Sequence, residues 1–511
     1  MRSPGKPRNK RLDLANVLGY FLPASRVLHV DVPNSVIKSI SDQRVLPRPL
    51  PWQSLQENIY AATLLHEEIH FIQSVATSVG VVESELEFAK TRALQQFCSR
   101  LRAIGHPTIP IPLTGARPGV DVPVQLTADL GEYKKCLSTI ERFEEHLRGG
   151  SEQYQSATRR LLPDLGRYWQ SLGLGLRYDR LIFGEIDWPS DPELLSGPIV
   201  MSQSGDYLDY LGSEQLYESW ANTTELLFLR MSTEWGEFER LWHERYFGSY
   251  KVAFAMLNFS CPDFFNMGYQ SNFLNTSAIC DVALTPSLAT SEYEASQRVL
   301  WRDIHPGWRL LSIVNTIRDH KVRPVDLANL PGDYLRFVAE ICDRNRWPHP
   351  FKQALTASTD NLSSEIPDSQ VHDYEKYSFG YHRKAFSVRH AIPHAIPFHP
   401  VRIAGEYEWD PISIVPDIML FRDGFSYRGA LEPKPDIPKL FEHYVASIFC
   451  ALVANGGERF SNTELLDSVL PDKLNVMDRN SRHQLAGAIA EGVCRVYSGY
   501  GPESVVPIRD A

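Results

Sequence analysis

Thr63-Leu64-Leu65-His66-Glu67-Glu68-Ile69-His70-Phe71-Ile72 lies inside an unbroken helical period. Working outward from it, Leu55, Ile59, Ala62, Leu65, Ile69, Ile72 and Val75 recur at spacings of three or four, the repeat of one face of a helix. Upstream, Pro47, Pro49 and Pro51 end any extended structure, and downstream Gly80 is read as the interruption of the helix. His66 and His70 are four positions apart, so they stand one above the other on a common face.

That spacing has a chemical meaning. Zinc binds neutral imidazoles at about 2.0–2.1 Å, and two histidines one helical turn apart can share a single tetrahedral ion. A carboxylate beside the first histidine, here Glu67, can take a proton from metal-activated water during attack on a carbonyl and pass it to the leaving amine. The string is H-E-x-x-H. By chance it arises in roughly 3% of chains of this length and composition, so its setting matters. The flanking residues are apolar, where an imidazole or carboxylate is costly to bury without a partner. The competing expectation is a pair of surface histidines beside two acids. Gln73, three residues past His70, falls on the same face, where it would touch substrate or a liganding carboxylate, or else face solvent.

A catalytic zinc needs a third protein ligand and an open position. Glu218 in Leu216-Tyr217-Glu218-Ser219-Trp220-Ala221 is the best candidate, because an acid between aromatic and small residues is expected to be partly buried, and Ser219 and Ala221 allow close helix approach. Glu214, one turn earlier, is the rival, although a glutamate just after Ser213 also suits the positive end of a helix without any metal. Other candidates are His382, His390, His394 and His399. Pro393 disfavours a continuous helix through the 390/394 pair, and a loop histidine or Tyr381 could steady an oxyanion. Asp281, in the apolar run Ser277–Leu284, is a candidate to hydrogen-bond the outer nitrogen of a zinc histidine.

Together, His66-Glu67-Glu68-Ile69-His70 and Glu218-Ser219-Trp220-Ala221 resemble the gluzincin class of zinc metallopeptidases, in whose aminopeptidase branch a glutamate before a small residue, an aromatic and an alanine supplies the third ligand. The resemblance covers about ten residues of the 511. It implies a zincin-like active-site helix within a large helical protein, zinc on His66, His70 and Glu218, and Glu67 as general base. Two features depart from the class. Positions 70 and 218 are separated by 147 residues, which requires an inserted subdomain, and Asn222 stands where many members have an aspartate that orients a zinc histidine.

The rest of the chain reads as mainly α with a small β component. Residues 1–106 hold short strands, at 26–32 and 36–40, and the histidine helix, followed by a second helix over Val82–Ala103; 107–125 is a proline- and glycine-rich linker. Residues 126–345 are read as helical, with a helix over 126–175, a turn-rich stretch at 183–212, one helix from Ser213 to about Leu241, and further helices at 290–345. Residues 346–435 are irregular and proline-punctuated with a strand at Ile418–Phe421, and 436–511 form a helical end.

Net charge of −10 and a pI near 5.9 argue against bulk nucleic-acid binding. The basic residues among the first eleven are expected to be a solvated arm. Seven cysteines without a C-x-x-C pair suit a reducing, cytoplasmic setting, the signal-like stretch from Leu14 is broken by Asn16, Gly19 and Pro23, and no apolar run is long enough to span a membrane. The function expected is zinc-dependent hydrolysis of peptide bonds in a peptide or protein substrate, with 26–32 as a sheet edge for an extended peptide. The alternatives are a non-catalytic binding or scaffold protein with a structural zinc site, and a zinc hydrolase of a non-peptide amide or ester. The sequence has room for a regulatory partner but identifies none.

Overall fold

The computed structural model describes residues 19–22, 27–30, 55–113, 124–151, 194, 196–201, 208–245, 252–264, 268–287, 299–351, 373–398, 418–421, 424–427 and 505–509, with short pieces between 445 and 499. The described chain is mostly helical with a small strand component, the class expected. In order it runs β1 (Gly19–Leu22), β2 (Val27–Val30), α1 (Leu55–Ala76), α2 (Ser78–Ala103), β3 (Ile109–Leu113), α3 (Val124–Arg148), β4 (Gly150–Ser151), β5 (Ile199–Met201), β6 (Leu208–Tyr210), α4 (Ser213–Ser232), α5 (Trp235–Arg245) and α6 (Val252–Ser260). There follow α7 (Tyr269–Leu284), α8 (Pro306–His320), α9 (Leu330–Asn345), α10 (Asp373–Ala391), β7 (Ile418–Phe421), β8 (Gly424–Tyr427) and β9 (Val505–Arg509).

Helix α1 is the centre of the molecule. From Ala61 to Ala76 every residue but His70 is buried, as befits a helix that is apolar on nearly all sides. Burying each large side chain there contributes roughly 1.5–3 kcal/mol relative to exposure. Helices α4, α2 and α10 and strands β1 and β2 pack around it, and α7 lies behind α4. Phe71 meets Phe21 of β1 and Tyr381 of α10, both edge to face at 5.8 and 5.1 Å, a favoured aromatic geometry.

Helix α1 ends at Thr77 rather than at Gly80. The Thr77 hydroxyl donates to the Gln73 carbonyl at 2.6 Å and accepts from Gly80 N–H at 3.0 Å, so one side chain closes α1 and caps α2. Gly80 sits in the first turn of α2, where a Cβ would stand 2.4 Å from the Gln73 carbonyl oxygen. Its role is to let the two helices touch, not to break one.

The sequence expectations hold in part elsewhere. Strand β7 spans the residues predicted, and β2 falls within 26–32. The expected helix from Ser213 to Leu241 is two helices, because Thr233 leaves helical geometry and its hydroxyl bonds the Leu229 carbonyl at 2.7 Å. The expected 126–175 helix ends at Arg148, where Gly149 takes a positive φ and β4 follows; residues 152–175, like the strand at 36–40, lie outside the described residues. The stretch 346–435 is not wholly irregular, since it carries the 19-residue α10. Strand β2 is not a sheet edge: it pairs antiparallel with β1 and parallel with β7 in a four-stranded sheet ordered β1-β2-β7-β8. A peptide cannot add to a strand whose two sides are both paired.

The six described cysteines are buried free thiols. Among the described residues no helix is long and apolar enough to cross a membrane.

Candidate metal centre

Helices α1 and α4 run antiparallel, with His66 opposite Glu225 and Gln73 beside Tyr217. This register brings His66, His70 and Glu218 together as a group of possible metal donors. His66 Nε2 and His70 Nε2 are 3.1 Å apart, and each lies 3.6 Å from an oxygen of Glu218. Tetrahedral zinc with bonds of about 2.0–2.1 Å holds its donors about 3.3–3.4 Å from one another. The imidazole pair is close to that value, but the two 3.6 Å contacts use different oxygens of Glu218, Oε2 toward His66 and Oε1 toward His70, so the donors match the ion in kind and the carboxylate would turn to set one oxygen against both histidines. Glu218 is the most open of the three, with its side chain 25% exposed against 10% for His66 and 16% for His70.

The outer nitrogens of both histidines are also engaged. Gln73, almost fully buried, has its Nε2 donating to the Tyr217 carbonyl at 2.9 Å, so its Oε1 is turned to His70 Nδ1, also at 2.9 Å. An amide oxygen only accepts, so His70 carries its hydrogen on Nδ1 and presents the Nε2 lone pair to the cluster. His66 Nδ1 lies 3.2 Å from Glu225 Oε2, an ion-pair contact whose angle is not that of a hydrogen bond. Metal-binding histidines are commonly oriented in this way. Gln73 thus faces neither solvent nor a liganding carboxylate, the alternatives its position suggests; it is buried against a candidate histidine ligand.

Charge follows the same geometry. Burial opposes a proton on His66, but Glu218 and Glu225 outweigh it and hold this imidazole well above its ordinary range. Burial lowers His70, and His66 adds to that against the pull of Glu218. Burial also opposes ionisation of Glu218, yet His70 and then His66 bring its carboxyl down to about 2. A proton on His66 Nε2, pointing at the His70 lone pair, thus holds positive charge among the same donors that would take a cation. Glu67 is the contrary case. Burial raises it, His66 partly offsets this, and Glu218 and Glu225 add to it, leaving its carboxyl at about 8. Its Oε2 is buried with no hydrogen-bond partner among the described residues.

The other sequence candidates do not join the cluster. Glu214 is exposed in the first turn of α4, where the helix dipole favours it. Asn222 is buried, its Oδ1 accepts no hydrogen bond among the described residues, and the carboxylate at His66 is Glu225 instead. Asp281 serves no zinc histidine: both its oxygens receive the Arg389 guanidinium, at 2.7 and 2.9 Å, and Tyr334 also donates to it. His390 is exposed in the last turn of α10, while His394 sits in a separate short turn after Pro393, so the pair shares no helical face. His399 lies outside the described residues.

His382 and Arg389 have a different task. His382 Nδ1 bonds the Val75 carbonyl at 3.0 Å and Arg389 Nε donates to the Ala76 carbonyl at 3.0 Å, so α10 satisfies the last carbonyls of α1. Tyr381 stacks edge-on against Phe71, on a side of α1 turned away from the histidines. Sequence reasoning missed Glu225, whose only signal is its place seven residues after Glu218, two turns along the same face. No protein-family model matches the chain, and no curated protein or solved structure matches it either.

Proposed function

We propose that this chain is a zinc-dependent hydrolase of peptide bonds, with His66, His70 and Glu218 as metal ligands and Glu67 as general base. The observation that carries it is the gathering of His66, His70 and Glu218, with Gln73 hydrogen-bonded to His70 Nδ1 and the Glu225 carboxylate 3.2 Å from His66 Nδ1. Zinc, when bound there, supplies Lewis acidity toward a carbonyl oxygen and makes water a nucleophile near neutral pH. Among the described residues three protein donors are gathered, the number that a catalytic zinc with an open position takes.

The remaining chemistry belongs to the chain. Gln73 and Glu225 hold the two imidazoles in the orientation that presents their Nε2 atoms. Glu67 holds its proton at a carboxyl whose pKa of about 8 lies close to neutrality, the condition under which one group can both accept and return a proton. A nearby dication lowers that pKa, so Glu67 is protonated in the metal-free protein and ionised once a cation is bound.

Turnover of a quenched-fluorescent peptide library with added zinc tests the proposal. Glu67→Gln should retain the metal and lose at least about 100-fold in kcat, the lower scale of general-base catalysis. Equal turnover by wild type and Glu67→Gln would reject Glu67 as the base. Binding of zinc without turnover of any amide or ester would favour a scaffold.

A further inference from the structure

We propose that Glu225 is a positioning residue of the metal centre, which orients His66 and keeps a carboxylate beside the buried ion; this rests on the zinc assignment above. Glu225 follows Glu218 by two helical turns on the same face of α4, and its side chain is 7% exposed. Its Oε2 stands 3.2 Å from His66 Nδ1, on the opposite edge of the ring from Glu218. The imidazole is therefore held between two carboxylates of one helix.

The charges can be summed from the donors. A dication on two neutral imidazoles and the Glu218 carboxylate has a net charge of one positive unit. Isolated buried charge is strongly disfavoured, and a further carboxylate within one ring width removes it. Gln73, which supports His70, is neutral and cannot do so. Glu67, ionised once a cation is bound, offsets that unit except when it carries the proton of the proposed reaction. Glu225 keeps a carboxylate beside the site throughout, behind His66, where it also makes that imidazole the stronger donor. The two histidines are thus unequal, one backed by an anion and the other by an amide.

A purely structural His66–Glu225 contact would affect folding alone, so the test reads the metal. Full-length wild type, Glu225→Gln and Glu225→Asp are titrated with zinc against a chromophoric chelator, then loaded with cobalt(II) for visible absorption. Metal-free samples are unfolded in urea as a control. Glu225→Gln, close in shape but uncharged, should bind zinc about 10- to 100-fold more weakly and shift the cobalt band. Glu225→Asp, which keeps the charge, should stay within about tenfold of wild type and serves if the first variant does not fold. Equal zinc affinity and an unchanged cobalt spectrum in Glu225→Gln would overturn the proposal while leaving the zinc assignment intact. Failure of wild type itself to bind zinc would overturn both.

Discussion

Replacing Glu67 by glutamine should change how the stability of the metal-free protein depends on pH. The native carboxyl is raised from its ordinary 4.5 to about 8, so between those values the folded protein holds a proton that the unfolded chain has released. Stability then falls as pH rises, by about 1.4 kcal/mol per unit for one proton. It is fully present below about pH 4.5 and lost progressively up to about pH 8. Glutamine resembles the protonated acid and has nothing to titrate. Across pH 5 to 8 the wild type should therefore lose about 3–4 kcal/mol relative to Glu67→Gln. Urea unfolding in the presence of chelator at four pH values reads the difference directly. Parallel profiles for the two proteins would refute a buried, proton-holding Glu67. With zinc present the difference should shrink or reverse, since a dication favours the ionised form.

Two further outcomes follow from the side chains around α1. Gln73→Met removes the acceptor at His70 Nδ1 and should weaken zinc binding about 10-fold or more, whereas Gln73→Glu keeps the acceptor and should retain most of the affinity, as chelator competition would show. Asp281→Asn leaves the fully buried Arg389 guanidinium without its anion and should cost about 3–5 kcal/mol in urea unfolding; a loss below about 1 kcal/mol would mean that this pair does not anchor α10 to α1 and α7.

The parts of this molecule legible in the sequence are those governed by local rules. The period of Leu55 to Val75 reveals α1 because a helix repeats every 3.6 residues whatever surrounds it, and the i, i+4 histidines follow from that period alone. Glu218 is legible from its aromatic and small neighbours, which imply a close helix contact. What the sequence hides is set by packing between distant elements. Helix α10 escapes notice because Tyr377, Phe379, Tyr381, Ala385, Phe386 and Val388 touch the core on more than one side, and Gly380 further blurs the helical pattern. The place of Asp281 is decided by Arg389, 108 positions away, and that of Glu225 by the antiparallel register of α1 and α4. Neither pairing leaves a local trace. The sheet edge fails for a similar reason, since β2 meets β7 from far along the chain.

Everything said of the site depends on whether His66, His70 and Glu218 hold a metal ion. The most direct measurement is elemental analysis of the purified full-length chain after zinc loading and dialysis, for wild type beside His66→Ala and Glu218→Ala, with circular dichroism to verify folding. Wild type should retain one zinc per chain, and each folded variant should lose it or bind it at least about 100-fold more weakly. A folded His66→Ala protein that keeps one tightly bound zinc, or a wild type that keeps none, would contradict the account.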